Sequence, residues 1–193
     1  FKEIILAQKE NLPKRSLTAA QRLKCEINLE HGKNLWQRQN QDPMGMTPNK
    51  EELIQFVLDE CRLLDECKYE QWLNLFLEDG MYWMPLDYQT DEEKLTTSLF
   101  YEDKLLLNTR IRRYAGDRTF SQQPKSRCQH LLQTPMVDSI DETKNEYKLY
   151  TPFQYVEYRL GETQTFIGWM RHTLSILDNK LKIKQKRIDL INS

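Results

Sequence analysis

The stretch Glu52–Leu86, ELIQFVLDECRLLDECKYEQWLNLFLEDGMYWMPL, reads as two consecutive helices feeding an aromatic strand. Leu53, Phe56, Val57, Glu60 or Cys61, and Leu64 recur at the helical period, with Gln55, Asp59 and Arg62 on the other side. Just upstream, Thr47 suits an N-cap, Pro48 suits the first helical position, and Glu51 and Glu52 complement the positive end of the helix dipole. Residues 65–68 break the pattern. Tyr69, Trp72, Leu73 and Phe76 then begin a second stripe, which Asp79-Gly80 should stop. Met81 to Leu86 has the aromatic content of a strand, and Pro85 tells against a long central one. Two short helices that bury one shared face need a sheet to lie on.

That sheet is expected downstream. Asp87 to Thr97 is acidic and polar, so it reads as a loop, and Asp103 to Tyr114 returns to helical period through Leu106, Leu107, Arg110 and Ile111 before Gly116. From Ser126 onward four strands are predicted, at Arg127–Asp138, Glu146–Leu160, Gln164–Asp178 and Lys180–Ile191. The turn residues between them, Asp141–Asn145, Gly161-Glu162 and Asp178-Asn179, fit hairpins and a mainly antiparallel, curved sheet. Helices first and strands later is the α+β order. In the last strand, simple alternation puts Leu181, Ile183, Gln185 and Arg187 on one face. Lys180, Lys182, Lys184 and Lys186 fall on the other, either solvated or facing an acidic partner.

Upstream, residues 1–46 are the least domain-like part. Phe1 to Leu12 suits a short helix, Pro13 interrupts it, and Ser16 or Thr18 can cap a second one through Glu30. Gln37 to Pro43 then reads as a linker. The expected organisation is a partly helical arm over 1–46 and an α+β domain over 47–193. Phe1 in place of Met leads us to expect the native start further upstream.

Of the 193 residues, 39% are hydrophobic, enough for a sizeable core, and no apolar run approaches the roughly 20 residues needed to span a bilayer. The four cysteines, Cys25, Cys61, Cys67 and Cys128, are irregularly spaced, as expected of reduced thiols in a soluble cytoplasmic protein. The formal net charge of -1 hides an asymmetry: residues 1–50 carry nine Lys/Arg against five Asp/Glu, and residues 59–103 three against thirteen. Solvated surface is the simplest account, and a contact between complementary patches is the other. Without a basic stripe interleaved with aromatics, nucleic acid is not an expected partner.

Few residues carry chemistry. Cys128-Gln129-His130 has the C-x-H spacing of half a Rieske site, but no cysteine follows to complete it, so that reading is excluded within this chain. No facial-triad iron site, glycine-rich phosphate loop, nucleophile elbow, H-E-x-x-H or paired C-x-x-C is present. His130 and His172 fall on the apolar faces of their strands: His130 with Cys128, Leu132 and Met136, His172 with Phe166, Met170, Leu174 and Ile176. Each reads as a hydrogen-bonded core residue. The alternative is a general base in a dehydratase, isomerase or small-ligand binder, with Asp103, Tyr82 or Tyr155 nearby. Arg127 and Arg187 are strand arginines that either lie at the surface or pair with a carboxylate such as Asp65, Glu66 or Asp103. Trp72, Tyr82 and Trp83 read as one core cluster.

The runs DECRLLDECKYEQWLNLFLEDGMYWMPL (59–86), EDKLLLNTRIRRYAG (102–116), PKSRCQH (124–130) and KRIDLIN (186–192) occur in an order that resembles the small (β) subunit of bacterial aromatic-ring-hydroxylating, Rieske-type dioxygenases. The resemblance covers Asn49 to Asn192. It is most specific at Leu63-Leu64-Asp65 with Trp72-Leu73, at Tyr82 to Pro85, at Asp103 with Arg110 and Arg113, and at Pro124, Ser126, Arg127 and His130. It implies a cystatin-like or nuclear-transport-factor-like cone, a curved antiparallel sheet wrapped on helices, with no catalytic, cofactor or metal residue of its own. The Rieske 2Fe-2S cluster, the mononuclear iron and the aromatic substrate's pocket would lie in a partner α subunit. An α3β3 assembly with β–β trimer contacts would follow, and Asp65, Trp83, Asp103, Arg110, Arg127, His130 and Arg187 become the candidate interface or buried polar positions.

Overall fold

Asn49, rather than Thr47, caps the first helix. Glu52 N–H donates to Asn49 Oδ1 at 2.9 Å, and Asn49 N–H donates to Glu52 Oε2 at 2.9 Å, a reciprocal capping box that leaves Thr47 and Pro48 just outside. In this computed structural model the described residues are 47–89, 97–115 and 126–192, all within one compact unit. The arm expected over 1–46 and much of the expected loop after Asp87 lie outside them. No helix among the described residues is long and apolar enough to cross a membrane.

Helix α1 (Lys50–Asp65) buries Leu53, Val57, Glu60, Cys61 and Leu64 on the predicted stripe. It stops where Cys67 takes a left-handed φ of 57° and Lys68 N–H donates to the Leu63 carbonyl at 2.8 Å. Helix α2 (Tyr69–Leu73) is shorter than its stripe predicts, because Phe76 already belongs to strand β1 (Phe76–Pro85). The Leu75 carbonyl accepts Ile183 N–H at 2.8 Å, so sheet pairing captures this segment before another helical turn can form. Gly80 is required by that close approach: a Cβ there would sit 2.7 Å from the Ile183 carbonyl oxygen.

The remaining elements are β2 (Ser98–Asp103), α3 (Lys104–Ala115), β3 (Arg127–Leu132), β4 (Met136–Asp141), β5 (Glu146–Arg159), β6 (Glu162–Leu177) and β7 (Lys180–Leu190). They form a seven-stranded sheet ordered β2-β1-β7-β6-β5-β3, with β4 also pairing with β5. Every pair is antiparallel except β1–β7, so the sheet is mixed. Strand β2, not anticipated from the sequence, lies along β1 from Met81↔Asp103 to Pro85↔Ser98. The single strand expected over Arg127–Asp138 is two. Gln133 N–H donates to the Pro152 carbonyl at 3.0 Å, and the chain turns at 133–135 before Met136 pairs with Tyr150.

The core lies between α1, α2 and the inner sheet face, with Trp72, Phe76, Leu107, Leu149, Tyr155 and Met170 among its buried members. One irregularity decides which charges enter it. Thr173 pairs with Gln185 and Leu174 with Ile183, so Lys184 is an extra residue in β7, a β-bulge. Alternation restarts there. Ile183 and Lys186 both end up buried, and the expected four-lysine solvated row ends at Lys184.

Candidate functional site

Glu60 projects from the buried stripe of α1 into the core, where the carboxylate is fully enclosed. Lys186 Nζ donates to its Oε1 at 2.7 Å, and Trp72 Nε1 donates to the same oxygen. Cys61 Sγ lies 3.4 Å from Oε2, and His172 Nε2 lies 3.5 Å from it. One carboxylate thus ties α1 to α2 and β7, with His172 of β6 alongside. Burial alone would push the Glu60 carboxyl up, but the Lys186 ammonium and then His172 outweigh it and hold the group well below the usual carboxylate range. Burial lowers His172, so its imidazole is neutral at pH 7 and the cluster carries one balanced ion pair.

A second polar pair pins the end of α1 to the strand β3. Asp65 Oδ1 lies 2.7 Å from His130 Nδ1, and both Asp65 oxygens accept the His130 backbone N–H at 3.1 Å. A carboxylate can only accept, so Nδ1 carries the imidazole proton. The ring borders a recess of about 270 Å³ of empty volume, shared with Tyr82, Phe153, Tyr155, Phe166 and Lys186. Its inner part has room for about one water molecule, where ligand pockets run to roughly 300–1,000 Å³.

The outer sheet face holds a third cluster. Arg187 Nε donates to Asp189 Oδ1 at 2.7 Å, its Nη2 donates to the Tyr88 carbonyl at 3.1 Å, and the guanidinium lies 4.3 Å from the Trp83 ring centre. Asp189 is fully buried, and burial raises its carboxyl against the pull of Arg187 and Arg171. Gly168 permits this packing, since a Cβ there would fall 1.9 Å from the Asp189 carbonyl oxygen.

Of the residues singled out in the sequence, His130, Tyr82 and Tyr155 share the recess and most of the others are dispersed. Asp65 pairs with His130, whereas Asp103, proposed as a partner for a histidine or an arginine, is exposed and accepts Leu106 N–H at 2.8 Å at the start of α3. Arg110 grips Glu102 at 2.6 and 2.7 Å and lies 4.6 Å from the Phe100 ring centre. Arg127 is exposed. Arg187 pairs with Asp189 and not with Asp65, Glu66 or Asp103. Trp83 leaves the expected aromatic cluster: Trp72 meets Phe76 and Tyr82 edge-on at 4.9 and 5.9 Å inside, while Trp83 lies under Arg187 on the other face. Met136, grouped with His130 by alternation, is on the outer face because the chain breaks at 133–135. Sequence reasoning missed the Glu60–Lys186 pair, although a carboxylate on a buried helical stripe was its available signal. Among the described residues, no three His, Cys, Asp or Glu side chains converge as metal ligands.

The mixed sheet wrapped on α1 and α2 defines a known class of α+β proteins. An NTF2-like protein with a cystatin-like fold from Novosphingobium aromaticivorans aligns with a TM-score of 0.50 at 14% identity, covering 86% of this chain and 90% of that one. More specifically, the family model for the ring hydroxylating beta subunit matches residues 59–193, and the chain belongs to that family. The small subunit of 2-halobenzoate 1,2-dioxygenase from Burkholderia cepacia is 25% identical over 146 residues, 73% of this chain and 87% of that protein. The crystal structure of the beta subunit of benzoate 1,2-dioxygenase from Burkholderia mallei gives a TM-score of 0.64 at 24% identity, over 76% of this chain and 93% of that one.

Proposed function

We propose that this chain is a noncatalytic, structural β subunit of a cytoplasmic aromatic-ring-hydroxylating dioxygenase. It would scaffold an α subunit that holds the Rieske 2Fe-2S cluster, the mononuclear iron and the substrate, in an α3β3 assembly. Family membership carries this reading. The interior supports it, since Glu60 is engaged by Lys186 and Trp72 and Asp65 by His130 in holding helices to sheet. A stand-alone dehydratase or isomerase is disfavoured because His172 is fully buried and the recess beside His130 has room for about one water. Co-expression with an adjacent reading frame bearing C-x-H and C-x-x-H motifs should yield a red-brown complex of hexamer size, while the chain purified alone is colourless. Failure to co-purify, or stoichiometric iron on the isolated chain, rejects the proposal.

A further inference from the structure

Thr151 Oγ1 and His172 Nδ1 are buried side-chain atoms with no hydrogen-bond partner among the described residues. The residues that carry them are 0% and 1% exposed, so bulk water does not reach either group. The other imidazole nitrogen, Nε2, is placed differently, since it faces Glu60 Oε2 at 3.5 Å. A carboxylate can only accept, so the proton of the neutral ring sits on Nε2 and Nδ1 is left as an acceptor. Thr151 supplies a hydroxyl, which both donates and accepts. Strand register brings the two side chains together. Leu149 pairs with His172 and Thr151 with Met170, so Thr151 and His172 are diagonal neighbours across β5 and β6, both pointing into the core.

Diagonal neighbours stand roughly 7–8 Å apart, somewhat less between their Cβ atoms. A single water, with a hydrogen bond of about 2.8 Å on either side, spans the gap left between two such side chains. Room lies next to it: Met170 and Lys186, the cross-strand partners of Thr151 and His172, both line the recess whose inner part holds about one water. Buried polar groups in native proteins are met by protein or by ordered water, and two bare ones side by side would each carry a full desolvation penalty. We propose that one ordered water is bound inside the core between Thr151 Oγ1 and His172 Nδ1. It accepts the Thr151 O–H and donates to Nδ1. Strand β5 thereby joins the cluster that Glu60 makes with Trp72 and Lys186, and the imidazole is held with its Nε2–H toward Glu60.

A crystal structure of the full chain, at a resolution that shows ordered water, should carry one density peak within hydrogen-bond reach of both Thr151 Oγ1 and His172 Nδ1. No peak there, or a peak that touches only one of the two, overturns the assignment. In solution, imidazole nitrogen NMR should show His172 protonated at Nε2 and bare at Nδ1, and the opposite tautomer overturns it as well. Thr151→Val keeps the shape of the side chain and removes the hydroxyl, and melting curves establish that the variant folds. Its density peak should be lost and its Nδ1 resonance should shift, whereas Thr151→Ser should keep both as in wild type. A folded Thr151→Val chain with peak and resonance unchanged takes Thr151 out of the site and overturns the proposal. Should Thr151→Val fail to fold, the wild-type density and the Thr151→Ser resonance decide.

Discussion

A carboxylate on the apolar stripe of a helix survives folding only if a cation is buried with it, and Lys186 is that cation for Glu60. Removing one member leaves the other charge enclosed. Lys186→Met should therefore cost about 3–5 kcal/mol in urea unfolding, and the Glu60→Gln/Lys186→Met double variant clearly less. Additive losses would mean the two act independently. His172 contributes a pH dependence of fixed sign. In the unfolded chain it titrates near 6.5, and burial lowers it in the fold. Between those values the unfolded chain holds the extra proton, so stability is level above about pH 6.5 and falls as pH drops below it. Glu60 adds a further loss in the same direction once pH falls below the unfolded carboxyl's 4.5. His172→Gln should flatten the stability profile between pH 7 and 5, measured by urea midpoints. A profile as steep as wild type would place the titrating group elsewhere.

At the scale of elements, turns and bulges fix the register. The β5–β6 hairpin turns on Leu160 and Gly161, at φ values of 54° and 88°. Leucine is poorly suited to the left-handed region, and its side chain is 69% exposed, so nothing packed offsets the strain. Leu160→Asn should raise stability by about 1 kcal/mol in thermal or urea unfolding. A loss of stability would show that Leu160 makes a contact worth more than that strain. The three long strands and helix α1 were legible because apolar periodicity spans them fully. Strand β2, the early start of β1 and the break at 133–135 were not, since pairing partners far along the chain decide them. Lys184 is the clearest case, because an inserted residue reverses every later face and period-two alternation carries no mark of it.

For the whole molecule, fold class and family could be read from an ordered set of short runs. The polar site could not be assembled: Glu60 and Lys186, and Asp65 and His130, stand far apart in the chain, and the face that Arg187 shares with its neighbour Asp189 was hidden by the bulge at Lys184. Types were readable and pairings were not. The Trp72 indole has a further, optical consequence. Its N–H ends on the carboxylate that binds helices to sheet, and its ring sits between Phe76 and Tyr82. Its emission should then shift when that carboxylate loses its charge or the helices lift away, giving the chain a built-in fluorophore for following its own assembly.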